Sequence, residues 1–127
     1  MTTIVVTAAV VERDDTFLVT RRMTGTHLAG TWEFPGGKCE AGESLEDGLQ
    51  RELREELGVV ADVGVEVFTV THEYEDRRVE LHFFACRLRG EPVPVLGQEM
   101  QWVERARLST LQFPPADEDL IARLSKP

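Results

Sequence analysis

Glu52, Glu55 and Glu56 crowd into little more than one turn of a segment with helical spacing, downstream of a Pro35-Gly36-Gly37 loop. Take Ser44 to Leu57 as helix. Leu45, Leu49, Leu53 and Leu57 then recur every fourth residue and form one apolar stripe. Advancing about 100° per residue, Glu56 falls between Leu45 and Leu49, Glu52 falls beside Leu45, and Glu55 lies one step further round. Glu46, Asp47, Gln50 and Arg54 take the other side. Three carboxylates therefore flank or enter the face that must pack. Carboxylates shielded from water and close together repel one another and resist ionisation. A divalent cation removes that conflict, and hard cations such as Mg²⁺ take oxygen ligands. Without the glycine loop, a solvated acidic helix laced by Glu/Arg pairs would be the better reading. The loop tips the balance, because its backbone can turn sharply and approach a ligand closely.

The rest of the chain reads as the frame for that segment. Ile4 to Glu12 is rich in Val, Ala and Ile and is expected to be a buried strand. Arg13-Asp14-Asp15 is a turn, and Thr16 to Arg22 closes a hairpin. A loop from Thr24 to Thr31 leads to a short strand, Trp32-Glu33-Phe34, which feeds the glycines. Gly58 stands where a helix stops. Val60 to Tyr74 is β-branched, with Val63, Val65, Val67, Thr69 and Thr71 in step. Glu75 to Arg78 is a polar hairpin tip, and Val79 to Leu88 returns with Leu81, Phe83 and Ala85 on one face. A Pro-rich loop spans Gly90 to Gly97, and Met100 to Val103 is a last strand. Arg105 to Leu111 holds one helical turn. Pro114-Pro115 begins a C-terminal helix with Leu120, Ile121 and Leu124 inward. Strands mixed with two helices, without repeats or linkers, predict an α/β fold: a mixed sheet with helices on both faces.

At 127 residues the chain suits one domain, residues 1–127. Its 42% hydrophobic and 29% charged content is that of a soluble globular protein. A net charge of −9, from 23 acids against 14 bases, argues against nucleic-acid polymers and acidic membranes as partners. It leaves room for a small phosphorylated ligand, since bound metal inverts the local field. Cys39 and Cys86 are single and far apart, with no Cys-x-x-Cys pair, and are expected to be reduced and structural. The first apolar run lacks a basic leader and is too short to span a membrane. A cytoplasmic protein is expected, as a monomer or homodimer.

Gly37, Glu43, Arg51-Glu52-Leu53, Glu55-Glu56 and Gly58-Val59 fill every fixed position of the Nudix box, which covers a sixth of the chain. The sequence thus resembles a Nudix hydrolase, with the Nudix α/β/α sandwich as the implied fold. Such enzymes cleave a nucleoside diphosphate linked to another group, with Mg²⁺ or Mn²⁺ held by the box. The resemblance implies Glu52, Glu55, Glu56 and the Gly36 carbonyl as metal ligands and Glu43 and Arg51 as braces between loop and helix. Family members differ on the general base: it is one of the three Glu, or a Glu of a later loop, with Glu52 the first candidate. A Glu in the later loop completes the metal site in many relatives. Counting back from Trp102 puts Leu96 at that place here, so Glu99 is the candidate after a small register shift, against a plain solvated loop acid.

Beyond the box, the chain is similar to MutT-type members in Thr20-Arg21-Arg22, His27, Glu33 to Lys38, Glu73-Tyr74-Glu75 and Phe113-Pro114-Pro115-Ala116. Those members hydrolyse nucleoside triphosphates to the monophosphate plus pyrophosphate and favour oxidised guanine nucleotides. The resemblance implies that Arg22 holds phosphate, that His27, Glu33, Phe34, Pro35 and Gly36 line the nucleotide site, and that Lys38 faces phosphate. Asp117 departs from the MutT pattern, which has Asn after Phe-Pro-Pro-Ala. An amide both donates and accepts, whereas a carboxylate only accepts unless protonated. Asp117 suits the exocyclic amine of cytosine, or oxidised guanine if burial keeps it protonated; otherwise it caps the last helix. Nudix enzymes for CTP and 5-methyl-dCTP carry Asp here. The expected activity is nucleotide-pool sanitation on 8-oxo-dGTP-type substrates. The alternatives are a CTP or 5-methyl-dCTP pyrophosphohydrolase, a nucleotide-binding Nudix domain without turnover, and an acidic interaction module.

Overall fold

The computed structural model of the chain describes residues 2–26 and 28–127. In chain order its elements are β1 (Thr2–Val10), β2 (Glu12–Arg13), β3 (Thr16–Arg21), β4 (Trp32–Glu33), β5 (Gly36–Lys38), α1 (Leu45–Leu57), β6 (Val60–Glu73), β7 (Arg77–Arg89), β8 (Met100–Glu104) and α2 (Glu118–Leu124), with 3₁₀ turns at Arg105–Thr110 and Pro115–Asp117. One sheet has the order β5-β1-β7-β6. In it β1 runs parallel to β7, while β5 and β6 are antiparallel to their neighbours. In the second sheet β3 pairs antiparallel with β2 and β4 at its two ends and with β8 along its length. Among the described residues no helix is long and apolar enough to cross a membrane.

Side-chain alternation along the strands sorts the apolar residues into two cores. Ala8, Val10, Phe17, Val19 and Phe83 face one way, against Leu120 and Ile121 of α2, Leu108 and Phe34. Ala9, Val11, Leu18, Phe84 and Leu88 face the other way, under Leu49, Leu53 and Leu57 of α1. Strands apolar on both sides need cover on both sides, and the result is the expected mixed-sheet sandwich.

Several boundaries differ from the sequence reading for local reasons. Asp14 and Asp15 both take left-handed φ values, 49° and 62°, the pattern of a two-residue hairpin turn. β1 and β7 reach past their expected ends because Thr2 and Thr3 pair with Arg77 and Arg78. Gly36 to Lys38, expected as loop, pairs with Val6 to Ala8 as a short edge strand. The regular step expected from Val63 to Thr71 is broken by two register shifts, between Val63 and Phe68. Val65 is consequently 71% exposed, while Phe68 and Val70 turn inward. The break has a cause in Gly64, where a Cβ would lie 2.9 Å from the Ala85 carbonyl oxygen. Only glycine lets the strands approach so closely there, and bulges follow such positions. The last helix starts at Glu118, after the 3₁₀ turn that begins at Pro115.

Candidate active site

Helix α1 is fixed at both ends. The Ser44 hydroxyl accepts the Asp47 N–H at 3.1 Å, a side-chain N-cap. Gly58 turns left-handed at φ 61° and its N–H returns to the Arg54 carbonyl. The distant loop completes this end: the N–H groups of Val93 and Val95 donate to the carbonyls of Leu57 and Glu56 at 2.9 and 3.0 Å. Gln98 Nε2 adds a second bond to the Glu56 carbonyl at 3.1 Å. The last turn of α1, which carries Glu56, is thereby latched to residues 93–98.

The wheel's gradient holds. Glu55 is 58% exposed and Glu52 16%, and Glu56 lines a cleft of about 510 Å³. Glu56 has its carboxyl pushed up to about 8 by burial, then by the Glu52 and Glu33 charges, against one favourable bond from the Gly36 N–H. Burial also raises Glu52, opposed by Arg51.

Arg51 is the hub of this region. Its Nε and Nη2 clamp both Glu43 oxygens at 2.8 and 3.1 Å, and Nη2 also donates to the Lys38 carbonyl at 3.0 Å. Its Nη1 donates to Glu52 and Glu55 at 3.0 and 3.2 Å. The Arg51 bonds hold Glu43 below its ordinary value. The expected brace of loop against helix therefore exists as a set of bonds.

The glycines have steric reasons to be here. A Cβ on Gly37 would lie 2.4 to 2.8 Å from the Glu52 carboxyl atoms, and a Cβ on Gly36 would lie 2.0 Å from the Thr7 carbonyl oxygen. Register assigns the Gly36 backbone as well. The Pro35 carbonyl accepts from Ala9 and the Cys39 N–H donates to Val5, so β5 bonds β1 through its odd-numbered residues. In an antiparallel pair the intervening residues point their N–H and C=O away from the partner. Gly36 therefore turns both groups outward, and its N–H meets Glu56.

A second polar group lines the same cleft. Arg22 Nη1 donates to Glu33 Oε1 at 2.8 Å, and Asp117, 4% exposed, lies close enough to feel both charges. Burial first, then Glu33, pushes Asp117 up to about 7, with Arg22 pulling it down. Asp117 makes no side-chain cap bond to α2, so the capping role is not realised. Phe34 stacks on Phe113 at 5.6 Å and meets Phe83 edge-on at 6.0 Å, and forms part of the cleft wall.

The remaining expected site residues are placed as follows. Gly36 and Lys38 line the cleft, while Pro35 is fully buried beneath it and absent from the lining. Glu99 pairs with Arg21 at 3.1 Å and lines a neighbouring shallow depression, whereas Leu96 and Gln98 line the main cleft. The expectation for His27 lies outside the described residues. The cleft also takes in Thr7, Tyr74 and Arg77, to which the sequence reading gave no role. A lone hydroxyl in the apolar run of β1 was the available signal for Thr7. Cys39 and Cys86 are free thiols, as expected.

Among the described residues no three acid, histidine or cysteine side chains converge as a ready cation cage. Glu52 and Glu55 are turned to Arg51 instead. The donor set nevertheless suits a hard divalent cation: all oxygen, with one carboxyl that burial and like charges keep from ionising.

A family model, the NUDIX domain, matches residues 6–123. The chain belongs to the Nudix family. It is 46% identical over 121 residues to the CTP pyrophosphohydrolase of Escherichia coli, covering 94% of this chain and 88% of that one. It is 38% identical over 109 residues to the 8-oxo-dGTP diphosphatase of the same species, covering 85% and 84%. Its fold is similar to the solution structure of the Escherichia coli ORF135 protein, with TM-score 0.85 and 36% identity over 96% and 88% of the chains. It is likewise similar to MutT of methicillin-resistant Staphylococcus aureus, with TM-score 0.80 and 34% identity over 98% of each chain. Membership in this family makes the protein a hydrolase of nucleotide phosphoanhydrides, and a divalent metal goes with the family.

Proposed function

We propose that this Nudix enzyme hydrolyses modified nucleoside triphosphates to the monophosphate and pyrophosphate with Mg²⁺, and that 8-oxo-dGTP-type nucleotides are its first substrates. The observation that carries this reading is the pairing of two polar groups in one cleft. Glu56 with Gly36 forms one, and Asp117 with Glu33 and Arg22 forms the other.

The residues that would hold the cation are Glu52, Glu55, Glu56 and the Gly36 carbonyl; Mn²⁺ fits the same oxygens. A bound divalent cation neutralises phosphate charge and lowers the pKa of water. Glu52 takes the proton of the attacking water, whose oxygen adds to phosphorus as the bridging P–O bond between the α and β phosphates breaks. Glu52 must first leave Arg51, which keeps its clamp on Glu43 and Lys38. Lys38, exposed at the rim, offers charge to the departing pyrophosphate. Arg22 is held by Glu33 and serves phosphate or base from that position. Glu99 would join the metal with the carboxylate whose Oε1 now meets Arg21.

Asp117 is the residue that favours a second reading, a CTP or 5-methyl-dCTP pyrophosphohydrolase. Ionised, it accepts from the cytosine amine. Protonated, it donates as well as accepts, which suits 8-oxoguanine. A panel of 8-oxo-dGTP, dGTP, CTP and 5-methyl-dCTP, ranked by kcat/KM with Mg²⁺, separates the two readings. Absence of pyrophosphate with every nucleotide would leave a binding domain without turnover.

A further inference from the structure

We propose that the Thr7 hydroxyl is a positioning group for Glu52, holding that carboxylate directly or through one buried water once it is drawn away from Arg51. The inference rests on the reading of Glu52 as a metal-site carboxylate and adds a residue to it.

Thr7 is fully buried, and among the described residues its Oγ1 has no hydrogen-bond partner. A buried hydroxyl without a partner is uncommon and calls for an acceptor within reach. Its place in the fold says which. Thr7 lies two residues before Ala9, whose side chain packs under α1, so Thr7 faces α1 too. It pairs directly with Gly37 across the β1–β5 ladder, and directly paired residues share a face, with Cβ atoms about 5 Å apart. Gly37 has no side chain, and the Glu52 carboxyl fills the space a Cβ would take. The Glu52 carboxyl is thus the cross-strand neighbour of the Thr7 side chain.

The other flank of Thr7 is occupied. Its β7 partner is His82, whose Nδ1 lies 2.8 Å from Glu66 and whose Nε2 lies 3.6 Å from Glu80. Nδ1 is thus engaged by Glu66, which also accepts from Thr69, while Nε2 stands beyond hydrogen-bond length from Glu80. On the β5 side, the Glu52 carboxyl is the acceptor that the register places opposite the Thr7 hydroxyl. Glu52 is at present spoken for by Arg51 Nη1. When Glu52 turns to a cation, it loses that donor, and Thr7 replaces it on the side facing the sheet. A carboxylate fixed by a neighbouring hydrogen bond holds its metal-facing oxygen in one orientation.

Thr7→Val and Thr7→Ser test this. Valine keeps the shape and deletes the hydroxyl; because that hydroxyl has no partner among the described residues, its loss should leave the melting temperature unchanged or raised. The expected result for Thr7→Val is a kcat lowered about fivefold to tenfold, a nucleotide KM within about twofold, and weaker Mg²⁺ binding by calorimetry without nucleotide. Thr7→Ser should restore kcat and Mg²⁺ affinity to within about twofold. Wild-type kcat and Mg²⁺ affinity in Thr7→Val overturn the proposal. So does equal loss in the Ser and Val variants with a lowered melting temperature, which marks a packing role. Glu52→Gln, run beside them, separates this from the site reading: if it keeps full turnover and Mg²⁺ affinity, the assignment of Glu52 fails first.

Discussion

Glu56 and Asp117 line one cleft and suffer the same primary pressure, burial of a carboxyl group, yet their surroundings ask for different remedies. Glu56 stands among Glu52, Glu33 and Glu55 with one backbone N–H in its favour. Asp117 feels one acid and one arginine. Crowded like charges call for a cation that several carboxylates can share. A solitary buried acid between a carboxylate and a guanidinium is satisfied by a proton or by a ligand's own donor. On the proposed reading, one cleft holds both a metal-binding half and a base-reading half made from the same side-chain chemistry.

The largest expected effect breaks the first half. Glu56→Gln should lower kcat/KM by about a thousandfold while the fold persists, read by pyrophosphate release and circular dichroism. Near-normal turnover would refute the metal role. The same variant probes the burial cost. A carboxyl raised from 4.5 to about 8 keeps its proton in the folded state while the unfolded chain ionises. This group therefore subtracts stability progressively from about pH 4.5 to pH 8. Without metal, Glu56→Gln should be more stable than wild type by on the order of 2 kcal/mol at pH 9, and by little at pH 4.

Arg51→Lys comes next. Lysine cannot reproduce the fork that clamps Glu43 while reaching Glu52, Glu55 and the Lys38 carbonyl. We expect kcat to fall about 10- to 100-fold with a lowered melting temperature. Metal affinity sharpens the comparison further. Because the cation must displace the Glu56 proton, Mg²⁺ affinity should rise from pH 6 to pH 8 and then level off, with proton release measurable by calorimetry in buffers of different ionisation heat. A flat affinity would mean that Glu56 is not displaced.

The base-reading half should answer more gently. Asp117→Asn should shift the ratio of kcat/KM between 8-oxo-dGTP and CTP about tenfold toward the oxidised purine, without loss of metal affinity. An unchanged ratio would make Asp117 structural. Smallest of all, Glu99→Gln should cost no more than about twofold, since it removes an exposed pair with Arg21; a larger loss in kcat, with Mg²⁺ affinity reduced, would place Glu99 at the metal after all.

Much of this was legible in the chain before folding. The leucine stripe put Glu56 inward and Glu55 outward because helix geometry is local. The Gly58 stop, the Ser44 start and the two-sided apolar strands follow from equally local rules. What stayed hidden depends on partners distant in sequence. No rule about residues 92–98 says that their backbone will bind the end of α1. The break in β6 comes from Gly64 meeting Ala85, a contact set by strand pairing. Thr7 looked like one polar letter in an apolar run until the register placed it opposite Gly37. The capping alternative for Asp117 is not realised, and its side chain lines the cleft instead.

The Glu56 carbonyl, gripped from Val95 and Gln98, ties the acidic helix to a segment distant in sequence. Grafting a longer or stiffer stretch between Glu91 and Gln98 would tug on the far end of the acidic helix and detune the reaction from outside. Natural variants that diverge in that segment are therefore the place to look for altered turnover with every box residue intact.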